Sequence, residues 1–270
     1  MTLNLSISPC PNDTFMFDAL LHGRIDTEGL TFDVTFADIE QLNSRLIVPQ
    51  NSQPAVSKAS YAILPLIADR YCALHSGSAL GRGNGPLLVT ADEEASTDDC
   101  AMRIAIPGRH TTANLLLERL YPHLADKRSY LFSDIPHVVA RGECDAGVLI
   151  HEGRFVYKNY GLHLMADLGV EWEKRTGLPL PLGVIVVDRT LPGQVQATVD
   201  RVLRRSIEYA FAHPDESLPF VRSHAQELDE QVMRSHIDTF VNTYSTDLGE
   251  EGCRAVARLL DMQPEAFLRS

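Results

Sequence analysis

The sequence predicts an α/β protein of two domains, with the second domain inserted into a discontinuous first one. Short apolar runs alternate with helical patterns, which is typical of α/β layers with largely parallel sheets. Two Gly- and Pro-rich segments, 81–86 and 176–183, each lead into an extended apolar run and are interpreted as chain crossings. We therefore expect residues 1–91 plus 187–270 to form the first domain, residues 92–186 the second, and a ligand cleft to lie between them.

Each predicted element follows from a local pattern. Apolar runs bounded by turn residues predict strands at residues 3–7, 30–36, 86–90, 103–106 and 147–150. Helical periodicity predicts helices at residues 13–22, 39–46, 61–68 and 110–120, with 137–142 ending another. Asn12 or Asp13 is expected to cap the first helix. The last third is predicted to be helical, with one apolar stripe formed by Val195, Val199, Val202, Leu203, Ile207, Ala210 and Phe211.

Composition and charge exclude several classes of partner. The 270 residues are 44% hydrophobic and 22% charged, which is ordinary for a globular protein. A formal net charge of −12 argues against binding to nucleic acid or to anionic lipid. No run approaches the roughly 18 apolar residues of a membrane span, so no membrane insertion is expected. The absence of a signal-peptide pattern and five scattered cysteines without a Cys-x-x-Cys pair predict a cytoplasmic protein with reduced thiols.

The sequence motifs that are typical of common metal and nucleotide cofactor sites do not occur in this chain. There is no His-x-x-x-His spacing for a metal, no Gly-x-Gly-x-x-Gly turn after a strand and no Walker-type loop. We therefore expect no metal and no cofactor. The expected partner is a small-molecule substrate, and a monomer is the expected state, although composition does not determine oligomerisation.

Three segments carry residue types that hold small polar ligands. The segment 8–15 runs from a strand into a helix and contains Asn12 and Asp13. Lys58 and Ser60 supply a cation and a hydroxyl ahead of the helix expected at 61–68. Each feature also has a purely structural interpretation, as a stiff capped loop in the first case and as a solvated lysine beside a serine cap in the second.

The third segment, around Thr111 and Thr112, is a stronger candidate for a ligand-binding site. Thr111 and Thr112 open a helix directly after a strand, so backbone amides and hydroxyls there form a cradle for an anion or a polar ligand. Threonine pairs also serve as ordinary N-caps, and local pattern weighs the two interpretations equally.

His151 is the candidate for acid–base chemistry. It follows the strand expected at 147–150, and the carboxyl ends of parallel strands face the ligand in open α/β sheets. A neutral imidazole there accepts a proton near neutral pH without a large shift of its pKa. A lone histidine is more often structural, so position alone does not assign the role.

Taken together, the motifs resemble the 1,4-dihydroxy-6-naphthoate synthase family of the futalosine route to menaquinone. The resemblance extends from residue 3 to about residue 252. It rests on segments 8–15 (SPCPNDTF), 58–61 (KASY), 76–83 (SGSALGRG), 107–112 (PGRHTT), 150–152 (IHE) and 176–183 (TGLPLPLG).

The resemblance implies a two-lobed, periplasmic-binding-protein-like fold of type II. It also implies a lyase that converts cyclic dehypoxanthine futalosine into 1,4-dihydroxy-6-naphthoate and dihydroxyacetone without a metal or redox cofactor. The general base of the family falls on His151. Its substrate contacts fall on Lys58, Ala59 and Ser60 and on Thr111 and Thr112, with Ala59 a small residue that departs from the family pattern.

Two alternatives remain open on the sequence. A non-catalytic protein that binds small anions shares the same architecture, since a fold does not dictate a function. The sister enzyme of the pathway, a dehydratase acting on chorismate, is also similar in fold. Segments 8–15 and 150–152 favour the synthase.

Overall fold

Two compact units divide the chain, and each is organised around its own sheet. The computed structural model describes residues 1–48, 53–225 and 229–269. One unit comprises Met1–Gly81 with Pro181–Ser270, and the other comprises Arg82–Leu180. Both changes of unit fall in the predicted crossing segments, earlier in the chain than the domain boundaries expected after residues 91 and 186.

The described residues form a regular succession of strands and helices. The strands are β1 (Thr2–Ile7), β2 (Thr31–Phe36), β3 (Val56–Ser60), β4 (Tyr71–Ala73), β5 (Ala79–Gly81), β6 (Leu87–Thr90), β7 (Ile104–Ile106), β8 (Lys127–Ser129), β9 (Ala146–Leu149), β10 (His163–Asp167) and β11 (Leu180–Asp188). The helices are α1 (Pro11–Leu21), α2 (Ile39–Ile47), α3 (Leu64–Ile67), α4 (Thr112–Leu120), α5 (Ile135–Ala140), α6 (Gly153–Val156), α7 (Leu168–Thr176), α8 (Gly193–Ala212), α9 (Pro214–His224), α10 (Glu230–Phe240), α11 (Thr243–Thr246), α12 (Gly249–Leu260) and α13 (Pro264–Phe267).

Both sheets are mixed, so the expectation of largely parallel sheets is wrong. The first sheet has the order β2-β1-β3-β11-β4, with β5 paired to β11, and the second has the order β10-β6-β9-β7-β8. β1 is parallel to β2 and β3, and β7 is parallel to β8 and β9. β11 runs antiparallel to β3 and β4, and β6 runs antiparallel to β9 and β10. β6 follows the first crossing segment and β11 overlaps the second, and neither strand is preceded by a crossover helix on its own sheet, the connection that makes a strand parallel.

The core of the first unit lies between its sheet and the helices α1, α8, α9 and α10. The predicted stripe on α8 faces this core: Val199, Val202, Leu203, Ile207 and Ala210 are buried. Val195 is half-buried, whereas Phe211 at the end of the stripe is exposed. The helical periodicity of the last third therefore located the packed face correctly.

Several strands were not predicted from the sequence, because they are short or because they contain polar residues. β3 is VSKAS, a segment that we expected to start a helix, and yet all five of its residues are buried. It becomes a strand because β1 pairs with it on one side and β11 on the other. β4, β8 and β10 are likewise short, or polar, and stabilised by their neighbours in the sheet.

A close backbone approach connects the first crossing to α7 within the second unit. A Cβ atom built on Gly85 would lie 2.3 Å from both Cα and N of Gly169. Arg154 donates a hydrogen bond to the carbonyl of Gly85, and the amide of Gly83 donates to Glu173 on α7 at 2.7 Å. Two glycines are therefore needed where these segments touch.

We predict that Gly85→Ala lowers the free energy of unfolding by about 2 kcal/mol or more, because backbone atoms cannot move aside as a side chain can. Urea denaturation measures the change. Gly193→Ala is the control, since nothing lies within 4 Å of a Cβ at that position. Equal stability of the two variants would contradict the close approach.

Candidate active site

A buried ion pair joins α1 to β3 in the first unit. Nζ of Lys58 lies 2.6 Å from Oδ1 of Asp13, and the two side chains are 6% and 0% exposed. Because β1 and β3 are parallel neighbours, the start of α1 after β1 comes beside the carboxyl-terminal part of β3. The sheet thus brings together two residues that are 45 positions apart.

The carboxylate of Asp13 is held from several sides. Oδ2 accepts hydrogen bonds from the backbone N–H and the hydroxyl of Ser8, at 3.1 and 2.7 Å. Oδ1 accepts from Nδ2 of Asn12 at 2.9 Å as well as from Lys58. Both Asn12 and Asp13, which were expected to contact substrate, are therefore buried and bonded within the chain.

The predicted cap of α1 is wrong. The helix begins at Pro11, with Cys10 as its N-cap and no side-chain cap hydrogen bond. Proline is favoured at the first helical position because its missing N–H needs no partner there. Asp13 lies in the first turn, where a carboxylate is favoured by the helix dipole, and it closes the loop back onto Ser8 instead of capping the helix.

Lys58 is buried, so the alternative interpretation of it as a solvated lysine beside a serine cap is wrong. Asp13 accepts a hydrogen bond from the ammonium of Lys58, which carries three N–H donors. Gly183 on β11 makes room for the lysine stem, because a Cβ there would lie 2.8 Å from Cε of Lys58. A buried cation with donor capacity beyond its ion pair suits an anionic ligand group.

The neighbours of Lys58 are buried as well. Ser60 exchanges two hydrogen bonds with Asn43 of α2: its amide donates to Oδ1 at 2.8 Å, and its hydroxyl accepts from Nδ2 at 2.9 Å. Ala59 is fully buried opposite Val184 of β11. A small residue at position 59 therefore fits the packing of the sheet.

Tyr61 closes the same segment and has a structural role. Burial raises its pKa well above the ordinary value, and its hydroxyl lies 2.7 Å from that of Ser78. The phenol therefore stays neutral and does not act as a base at neutral pH. Segment 76–83 is anchored in the same way, since Ser76 donates to Asp200 at 2.7 Å and the amide of Gly77 to the carbonyl of Ser245.

In the second unit, Thr111 is the N-cap of α4. Its hydroxyl accepts from the amide of Asn114 at 3.2 Å and donates to the carbonyl of Gly108 at 2.8 Å. Thr111 and Thr112 are both 2% exposed. The Thr111 hydroxyl therefore serves as an ordinary N-cap. The helix N-terminus that Thr111 caps, that of α4, is the one that the sequence predicted to bind a ligand.

His151 lies at the same edge of the sheet as this helix N-terminus. β7 leads into the segment before α4, and its parallel neighbour β9 ends at Leu149, two residues before His151. β8 is parallel to β7 as well and leads to Phe132. The ring of Phe132 is buried, and its centroid lies 4.9 Å from that of the His151 imidazole.

The backbone of His151 is unusual. Its φ is 53°, in the left-handed region that non-glycine residues seldom occupy. Such a conformation persists only where the surroundings enforce it, and it is found preferentially at functional sites. The side chain is half-buried and packed against an aromatic ring, so its direction is restrained.

Two features are absent among the described residues. No group of three or more His, Cys, Asp or Glu residues within them could hold a metal ion. None of the helices in those residues is long and apolar enough to cross a membrane. The five cysteines, all within the described residues, form no disulfide bond with one another.

Solved structures of other proteins identify the class of fold. The protein AF1704 from Archaeoglobus fulgidus is 35% identical, with a TM-score of 0.88 over 96% of this chain and 95% of that one. The periplasmic aliphatic sulphonate binding protein SsuA from Escherichia coli is 11% identical, with a TM-score of 0.64 over 100% of this chain and 92% of that one. The predicted periplasmic-binding-protein-like α/β fold is confirmed.

Sequence relatives identify the family. A family model described as menaquinone biosynthesis matches residues 3–265. A protein of Thermus thermophilus named 1,4-dihydroxy-6-naphthoate synthase is 47% identical over 257 residues, 95% of this chain and 92% of its own length. A Streptomyces coelicolor protein of the same name is 43% identical over 265 residues, 96% and 92% of the two lengths. The chain belongs to the menaquinone biosynthesis family, as its motifs indicated.

We predict that the Lys58–Asp13 pair is strongly coupled. Asp13→Asn leaves an ammonium buried without its counter-charge and is expected to cost about 3 kcal/mol of unfolding free energy. In a Lys58→Met background the same change is expected to cost far less, because no buried cation remains. Urea denaturation of the two single variants and the double variant measures the coupling, and additive effects would contradict it.

Proposed function

We propose that the protein is a 1,4-dihydroxy-6-naphthoate synthase that cleaves cyclic dehypoxanthine futalosine into 1,4-dihydroxy-6-naphthoate and dihydroxyacetone. The observation that carries the proposal is near-full-length identity of 47% and 43% to two proteins of that name. The enzyme is a carbon–carbon lyase in this proposal, and it acts without a metal or redox cofactor. We expect it to work in the cytoplasm as a monomer.

Lys58 binds the carboxylate of the substrate in this proposal. Lys58 is the candidate residue that carries a buried positive charge. Its ammonium is already held in position by the ion pair with Asp13. Charge-assisted hydrogen bonds to a carboxylate are roughly twice as strong as neutral ones, so a cation is better suited to this group than a threonine hydroxyl. Asp13 then keeps the ammonium from being a lone buried charge before substrate arrives.

The N-terminus of α4 binds hydroxyl groups of the sugar-derived part. The Thr111 hydroxyl is occupied by its capping bonds, so Thr111 contributes mainly by holding the first turn in place. Thr112 and the first backbone amides of α4 supply the contacts. Amides at a helix N-terminus are donors without partners inside the helix, and they match oxygen atoms of a ligand.

His151 acts as the general base. It takes a proton from the substrate, after which the carbon–carbon bond to the three-carbon sugar remnant breaks and dihydroxyacetone leaves. The ring system becomes a naphthalene, and its aromatisation drives the reaction. The protein therefore has two tasks, to orient the substrate and to accept one proton at the imidazole. Phe132 restrains the imidazole, so less reorganisation is needed when the proton moves.

We predict that His151→Asn lowers kcat by at least about 10²-fold while the affinity for 1,4-dihydroxy-6-naphthoate stays within about threefold. Asparagine suits the test because it tolerates a positive φ better than most residues and cannot accept the proton. Steady-state kinetics and calorimetric titration with the product measure the two quantities.

The matched control is His137→Asn, an exposed histidine on α5 of the same unit. It is expected to retain wild-type kcat. Near-wild-type turnover in the His151 variant would remove that imidazole from the mechanism.

A parallel assay separates the proposal from its alternatives. Purified protein given cyclic dehypoxanthine futalosine is expected to release the naphthoate, detected by its absorbance, and to leave chorismate unchanged. Dehydration of chorismate would identify the sister enzyme instead. Saturable binding of the futalosine derivative with no turnover would favour a binding protein.

A further inference from the structure

A buried histidine lies against Asn12, beside the Lys58–Asp13 pair. His236 lies on α10, is fully buried, and packs its ring 4.7 Å from that of Phe240. Its Nε2 lies 3.0 Å from Oδ1 of Asn12 in the first turn of α1. The segments that carry the family resemblance do not include His236, and neither does the mechanism above.

Hydrogen-bond directions in this cluster follow from the carboxylate. Ionised Asp13 only accepts, so the Asn12 amide must present its nitrogen to Oδ1, at 2.9 Å. The amide oxygen of Asn12 then faces His236. An oxygen only accepts, so Nε2 of His236 must carry the hydrogen. The orientation of the amide and the hydrogen on Nε2 are both determined.

The same oxygen of Asp13 holds Asn12 and Lys58. Oδ1 lies 2.9 Å from Nδ2 of Asn12 and 2.6 Å from Nζ of Lys58. Any rotation of the Asn12 amide that turns its oxygen towards Asp13 places two acceptors face to face. The donor on His236 opposes this rotation and so restrains the carboxylate that positions the ammonium.

We propose that His236 is a positioning residue for substrate binding, acting through Asn12 and Asp13 on the ammonium of Lys58. The proposal rests on the proposed function for the identity of the ligand, since Lys58 is there assigned to the substrate's carboxylate. A group held in advance loses less freedom on binding, so the contribution of His236 falls on affinity and not on the proton transfer.

Two substitutions separate positioning from packing. His236→Leu keeps apolar volume and removes the donor, and it is expected to raise KM about tenfold while kcat changes less than about threefold. His236→Gln carries an amide nitrogen near the place of Nε2 and is expected to restore KM to within about threefold of the wild-type value. Urea denaturation of both variants shows that each is folded under assay conditions.

A double-variant cycle tests the route through Asn12. In an Asn12→Ala background, His236→Leu is expected to have little further effect on KM, because the connecting amide is gone. Additive effects on KM, an unchanged KM in the leucine variant, or failure of glutamine to restore KM would each overturn the proposal.

A measurement without substrate keeps this proposal apart from the proposed function. In ¹⁵N NMR of the wild-type protein, His236 is expected to be an Nε2–H imidazole, and the Nζ resonance of Lys58 is expected to move in His236→Leu but not in His236→Gln. An Nδ1–H imidazole or an unmoved Lys58 resonance overturns the positioning role. If the expected spectra come with no turnover of cyclic dehypoxanthine futalosine, the proposed function alone fails and the coupling of His236 to Lys58 stands.

Discussion

The first unit is arranged around one constraint, a lysine ammonium that is removed from water. A buried cation is tolerated only where a counter-charge and hydrogen bonds replace its hydration. Asp13 supplies the charge, Ser8 and Asn12 complete the coordination of its carboxylate, and Gly183 leaves space for the lysine stem. The ammonium of Lys58 is therefore accommodated by three segments together: the Pro-rich loop, the first turn of α1 and the part of β11 around Gly183.

In the second unit, the direction of the strands determines where the candidate residues lie. β7 lies between β8 and β9 and is parallel to both, so the segments that follow the three strands emerge at the same edge of the sheet. Thr111, Phe132 and His151 each follow one of these strands within a few residues. The two units thus present different chemistry, a fixed cation in one and a helix N-terminus with a restrained imidazole in the other.

Local pattern was sufficient for elements with strong periodicity. β1, α2, α4, β9 and the buried face of α8 all lie where the sequence predicted them, because their apolar residues repeat with the period of a strand or a helix. β3 was missed because Lys58 and its serines look solvated in isolation. The cap of α1 was missed because the carboxylate of Asp13 turns towards Ser8 and Lys58, and the second partner is 45 residues away.

The sequence by itself determined the α/β class, the two crossing segments, the family and the identities of Lys58, Thr111, Thr112 and His151 as candidates. These features are local runs of residues, and short-range pattern records them. Only the tertiary structure decided that Lys58 is paired, that Phe132 adjoins His151 and that His236 reaches Asn12 across 224 positions. Contacts of this kind depend on strand order and helix packing, and no short window of the sequence contains both partners.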